Sequence, residues 1–147
     1  MDIGNPAEEL EKQFERWQKQ GESTFWGLLG CEFAGWDGKT VTVALDVKPQ
    51  LLNLIGILHG GVHATLIDSA MGLVVMIARP RENVVTTNLN LNYVAPASEG
   101  RILVTAELLH ATRKSMNAQA FVRTEGGELL AFGTGTFRVM DRKPESQ

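Results

Sequence analysis

Near its start the chain places apolar residues at helical spacing. Leu10, Phe14 and Trp17 follow at i, i+4 and i+7 on an otherwise polar stretch. Asn5 stands as cap, Pro6 opens the first turn, and Glu8 lies three residues after the cap, so the pattern predicts a helix over 6–21 that Gly21 ends. Ser23 to Leu29 predicts a short second turn of helix before Gly30. Glu32 to Trp36, the turn Asp37-Gly38 and Lys39 to Val47 then read as a β-hairpin. Pro49 to Leu58 reads as a loop. A long helix follows from His59 to Arg79, stopped by Pro80. It is apolar nearly all round and must therefore be enclosed.

Beyond Pro80 the period changes to two. Val85, Thr87, Leu89, Leu91 and Tyr93 alternate with Thr86, Asn88, Asn90 and Asn92, and Pro96 to Gly100 turns the chain. Further strands are predicted over 102–111, 115–124 and 128–140, separated by Arg113-Lys114 and by the tight pair Gly126-Gly127. Gly133 and Gly135 point to one side of the last strand. Glycine weakens a strand unless something must come close, so that side is read as the seat of the long helix. The expected architecture is α+β: a curved antiparallel sheet wrapped around the long helix, with an extra N-terminal helix. With no internal repeat or linker, 1–147 reads as one domain: helix 6–21, core 22–140 and a polar tail 141–147 expected to fray.

Composition narrows the class. At 147 residues, 44% hydrophobic and 21% charged, the chain is expected to be globular rather than disordered. A net charge of -3, without a basic stripe or reader motif, gives no nucleic-acid footprint. The uninterrupted apolar run Ala70 to Ala78 is short of the ~20 residues a bilayer needs. Glu8, Glu9, Glu11 and Lys12 occupy the place of a signal peptide's apolar region. The lone Cys31 excludes an internal disulfide framework and fits a reducing compartment. No membrane partner and a cytoplasmic location are the resulting expectations.

Chemistry concentrates in the long helix. Asp68 sits inside its apolar stretch where a core helix would carry Leu, and Asp is seldom buried without a partner or a task. The helix opens with His59-Gly60-Gly61, where first-turn N–H groups lack intrahelical acceptors and carry partial positive charge. A bare amide at Gly60 and a desolvated carboxylate are the tools that acyl hydrolysis needs.

Several stretches resemble the hotdog-fold acyl-CoA thioesterases, in particular their PaaI-type (phenylacetate-degradation) branch. They are Phe25 to Gly30, Asn53 to Gly61 with His59-Gly60-Gly61, Thr65 to Asp68 with Gly72, Thr86 to Tyr93 followed by Pro96, and Gly133-Thr134-Gly135. Together they span roughly residues 22 to 140. The resemblance implies a hotdog fold and hydrolysis of acyl-CoA to free acid and coenzyme A, with no separate cofactor. It also implies that Asp68 serves as general base or nucleophile and that the Gly60 N–H polarises the thioester carbonyl. By the same resemblance Asn53 holds the thioester or the attacking water, His59 orders the loop, and Thr86 positions water. Gly61, Leu54 and Thr87 complete the expected substrate contacts, with Leu51 and Leu52 beside Leu54 along the acyl group. Arg113 and Lys114 are placed to meet coenzyme A phosphates.

Helix geometry adds a constraint of its own. Gly60 and Asp68 lie about 12 Å apart along the axis at 1.5 Å per residue, too far for one chain to bring both to one carbonyl. If both act, the site is shared between subunits, with Gly60 and Asn53 from one and Asp68 from the other. An obligate homo-oligomer is expected, and the resemblance implies the same homodimer, often doubled to a homotetramer. Blander readings stay open: Asp68 as a bonded structural residue, His59 as a loop tie, Arg113-Lys114 as a solvated turn, and an acyl-CoA or lipid-binding module without catalysis. His59 and His63 have zinc spacing, but Asp68 points about 180° and 140° away from them, so no metal is expected.

Overall fold

A computed structural model describes residues 5–141. Helix α1 spans Pro6–Gly21 and α2 Phe25–Leu29, followed by strands β1 Glu32–Trp36 and β2 Thr40–Asp46. A single 3₁₀ turn at Pro49–Leu51 interrupts the predicted loop. Helix α3 covers Gly60–Ala78, and the remaining strands are β3 Val84–Tyr93, β4 Arg101–Ala111, β5 Ser115–Thr124 and β6 Leu129–Val139. The six strands form one antiparallel sheet in the order β1-β2-β4-β5-β6-β3. The predicted polar tail falls largely outside the described residues.

The sheet wraps one face of α3. Val62, His63, Leu66, Ile67, Ala70, Met71, Val74 and Val75 are buried on that face. Each large aliphatic among them contributes on the order of 1.5–3 kcal/mol by leaving water. The opposite face, from Ala64 and Asp68 to Met76 and Ile77, stays half-buried in a single chain. Gly135 bears on this packing, because a Cβ there would come 2.7 Å from Met71 Cε of α3. Gly133 lies on the same side of β6, but its crowding comes from the paired strand, with Asn90 O at 2.5 Å from a Cβ.

Helix α1 is tied to the edge of the sheet. Asn5 Oδ1 accepts the Ala7 N–H as cap, and Gln18 Oε1 accepts the Phe33 N–H at 3.0 Å. Phe14 stacks on Phe33 with ring centroids 4.1 Å apart. The hairpin turn differs slightly from expectation: Asp37 Oδ1 accepts the N–H groups of both Lys39 and Thr40, so β2 starts one residue later.

Strand β3 departs from strict alternation. Thr86 pairs with Phe137 and Asn88 with Thr136, leaving Thr87 as the extra residue of a bulge. The sequence pattern puts Thr86 on the face opposite Leu89 and Leu91. The bulge reverses this, so Thr86, Leu89 and Leu91 oppose Phe137, Gly135 and Gly133 on the side that faces α3.

Candidate active site

The start of α3 leaves one amide uncommitted. His59 caps the helix: its Nδ1 accepts the Gly61 N–H at 2.8 Å, and its carbonyl accepts the N–H groups of Val62 and His63. The Gly60 N–H has no acceptor among the described residues. Both glycines stand in close quarters. A Cβ on Gly61 would lie 3.0 Å from His59 Nδ1, and one on Gly60 would lie 3.3 Å from the Tyr93 hydroxyl. That hydroxyl donates to Gly60 O at 2.9 Å, fixing the first turn against the end of β3. The free amide therefore points out of a rigid, positively polarised helix start.

Asn53 and Gly60 face a common cavity of about 420 Å³ between the loop before α3 and the segment after β3. Its other walls include Ile57, His63, Tyr93 and Pro96. Asn53 Oδ1 accepts the N–H groups of Ile55 and Ile57, which closes the loop and leaves the amide nitrogen uncommitted. Bonds from Leu58 N–H to Ala97 O and from His59 N–H to Leu51 O pin the loop to its surroundings. His63 is only 4% exposed, and its Nδ1 has no partner. Burial holds its pKa below the ordinary 6.5, so the ring is neutral at neutral pH.

Asp68 stands elsewhere on the helix. It is half-buried rather than sealed, because the sheet covers only the other face of α3. Thr86 Oγ1 donates to Asp68 Oδ1 at 2.7 Å, so the β3 bulge delivers the hydroxyl directly to the carboxylate. Thr87, predicted as a substrate contact, instead donates its hydroxyl to Thr136 O across the sheet.

The site residues thus fall into two groups within one chain: Asn53, His59, Gly60 and Gly61 at the helix start, and Asp68 with Thr86 further along. Leu54 is fully exposed beside them, while Leu51 is buried in the core and Leu52 half-buried. Leu51 therefore supports the loop rather than lining an acyl path. Arg113 and Lys114 border a separate cavity of about 390 Å³ with Arg81 and Glu82, past the far end of α3. His59 Nδ1 is engaged by Gly61, and no trio of metal-ligating side chains gathers among the described residues. Cys31 is buried, and burial raises its thiol to about 11. Tyr93 and His63 were not legible as site residues: Tyr93 meets Gly60 across 33 positions of chain, a contact without a local signal.

The thioesterase superfamily profile matches residues 55–131, more than half of the chain and the whole helix that carries Gly60 and Asp68. The chain belongs to the thioesterase superfamily. Acyl-coenzyme A thioesterase 13 of Mus musculus is 32% identical over 94 residues, covering 63% of this chain and 67% of that one. A solved structure of a conserved protein from Pseudomonas aeruginosa is 31% identical with a TM-score of 0.78, covering 84% of this chain and 98% of that one. A thioesterase from Haemophilus influenzae superposes with a TM-score of 0.85 at 21% identity, over 91% and 94% of the two chains, and shows the shared hotdog fold.

Proposed function

We propose that this superfamily member hydrolyses acyl-CoA thioesters to a free carboxylic acid and coenzyme A at a site built by two copies of the chain. One observation carries the reading: the uncommitted Gly60 N–H and the Thr86-bonded Asp68 sit on one helix yet too far apart to meet on one carbonyl. Two further features support the pairing. Strand β3 is an edge strand of ten residues with one side unpaired. The face of α3 that bears Asp68 is open in the single chain.

In this reading the thioester oxygen lies at the Gly60 N–H and Asn53 steadies the thioester or the water. Asp68 of the partner subunit takes a proton from water as the water oxygen bonds to the carbonyl carbon. The carbonyl electron pair moves onto the oxygen, where one such donor in a dry site is worth about 2.7–4 kcal/mol. Collapse breaks the carbon–sulfur bond, and the proton held by Asp68 passes to the departing thiolate. Attack by the carboxylate itself is the other form of the same reaction. With α3 helices antiparallel across the two-fold axis and Asp68 of one level with Gly60 of the other, the far end of one helix lies about 15 Å beyond the partner's Gly60. That separation suits a pantetheine arm reaching Arg113 and Lys114 with its phosphates. Homodimer assembly, doubled to a tetramer, and the absence of any separate cofactor belong to this proposal.

The test is a panel of acyl-CoA esters with release of free thiol as the signal. Buried Cys31 leaves the protein's own thiol out of the readout. Wild-type protein is expected to release coenzyme A, and Asp68→Asn to cut turnover by at least about a hundredfold with the fold kept. Ligand-dependent melting without release would replace the enzyme by an acyl-CoA-binding module. Hydrolysis by Asp68→Asn at the wild-type rate would remove Asp68 from the chemistry.

A further inference from the structure

His63 belongs to the same cavity as Gly60 and Asn53, yet nothing in the reaction above uses it. It lies three residues after Gly60, and helical side chains lean toward the N-terminus, so its imidazole lies over the turn that Gly60 begins. Its Nδ1 is sealed from solvent with no hydrogen-bond partner. A buried N–H without an acceptor is among the rarest arrangements in folded proteins, so the cheaper tautomer leaves Nδ1 bare and puts the hydrogen on Nε2. Besides the Gly60 N–H and the Asn53 amide nitrogen, the polar groups around the cavity are already engaged. The Tyr93 hydroxyl donates to Gly60 O, Asn53 Oδ1 accepts two backbone N–H groups, and His59 Nδ1 accepts the Gly61 N–H. The Tyr93 and His63 rings also pack edge-to-face, with centroids 5.9 Å apart and planes at 72°.

We propose that His63 is a further catalytic residue, whose Nε2–H donates to the thioester oxygen beside the Gly60 N–H. The inference rests on the thioesterase reading. It makes the oxyanion site a pair of donors from one helix start: a backbone amide and a neutral imidazole. His63 keeps its proton throughout, and no bond to it forms or breaks. Charge arriving on the oxygen strengthens both hydrogen bonds, and neither donor has to reorient, since Tyr93 and the helix hold them in place. Burial, which keeps the ring uncharged, suits it to this electrostatic role without proton transfer.

The test compares His63→Leu, which has no donor, with His63→Gln, which keeps an N–H. Thermal melting verifies that each variant is folded. The Leu variant is expected to lose roughly 10²–10³-fold in kcat across every acyl-CoA that the wild type cleaves, with KM within about threefold. Gln is expected to recover at least about tenfold of that loss. A folded Leu variant with wild-type kcat overturns the proposal, as does an equal loss in both variants, which would mark a packing role. A second measurement needs no substitution. In the wild type, a coenzyme A ketone analogue with CH₂ in place of the thioester sulfur is expected to shift the His63 Nε2 nitrogen resonance, whereas free coenzyme A does not. An unmoved resonance in the analogue complex overturns the proposal. A wild type that cleaves no CoA ester would instead strike the thioesterase reading, which separates the two failures.

Discussion

A short hydrogen bond of 2.7 Å joins the Thr86 hydroxyl to the Asp68 carboxylate. A hydrogen bond to a charged group is worth about 1.5–3 kcal/mol, so Thr86→Val is expected to lower kcat by roughly tenfold to a hundredfold while Thr86→Ser loses far less. Steady-state kinetics on one good ester decides it. Equal rates for Val and wild type would disconnect the hydroxyl from catalysis. His63 carries a separate stability prediction. Its folded pKa lies below its unfolded value near 6.5, so the unfolded chain binds the proton more readily. Its contribution is whole above about pH 6.5 and is lost as pH falls through the window below. Tm is expected to fall from pH 7.5 to 5.5, and His63→Phe to flatten that fall, as differential scanning calorimetry would report. Asp37 and Glu107, whose pKa values are lowered by hydrogen bonds from Thr40 and Lys39 and from Gln119, act at lower pH.

Two glycines of β6 separate two kinds of crowding. Gly133 faces the carbonyl of its paired strand, while Gly135 faces the flexible end of Met71. Main chain in a sheet cannot step aside as a methionine methyl can. Gly133→Ala is therefore expected to destabilise by about 1–3 kcal/mol and Gly135→Ala by clearly less, read from urea midpoints. The reverse order would mean that α3, not β3, sets the spacing of this strand. The bulge at Thr87 is the element that brings Thr86 to Asp68. Without it, Thr86 would share a face with Asn88 and Asn90, turned away from Asp68.

The proposed two-subunit site makes a quantitative claim about mixtures. Asp68→Asn and Asn53→Ala chains are each expected to be nearly inactive alone. Co-expressed or refolded together, they form about half heterodimers, each with one site carrying an intact Asn53 and an intact Asp68. Activity is then expected to return to about a quarter of wild type. Sedimentation velocity supplies the companion measurement, with a dimer or tetramer expected at assay concentration. Mixed samples no more active than their parents would place both residues' roles within one chain or nowhere. An active monomer would do the same.

Local pattern alone determined a good deal here. The capped N-terminal helix, the long apolar helix and the run of strands all follow from short-range periodicity and cap chemistry. Candidate site residues that meet close along the chain are legible for the same reason: His59 caps Gly61 within one helical turn, and Asn53 closes its own loop. What remained for the tertiary structure were contacts between distant segments. Alternation placed Thr86 on the wrong face because a bulge depends on how β3 registers against β6, which no window on β3 contains. Tyr93 on Gly60, Thr87 on Thr136 and the half-open flank around Asp68 likewise depend on which surfaces the sheet covers. Periodicity tells a side chain which way to face within its own element; only packing tells it what it will meet.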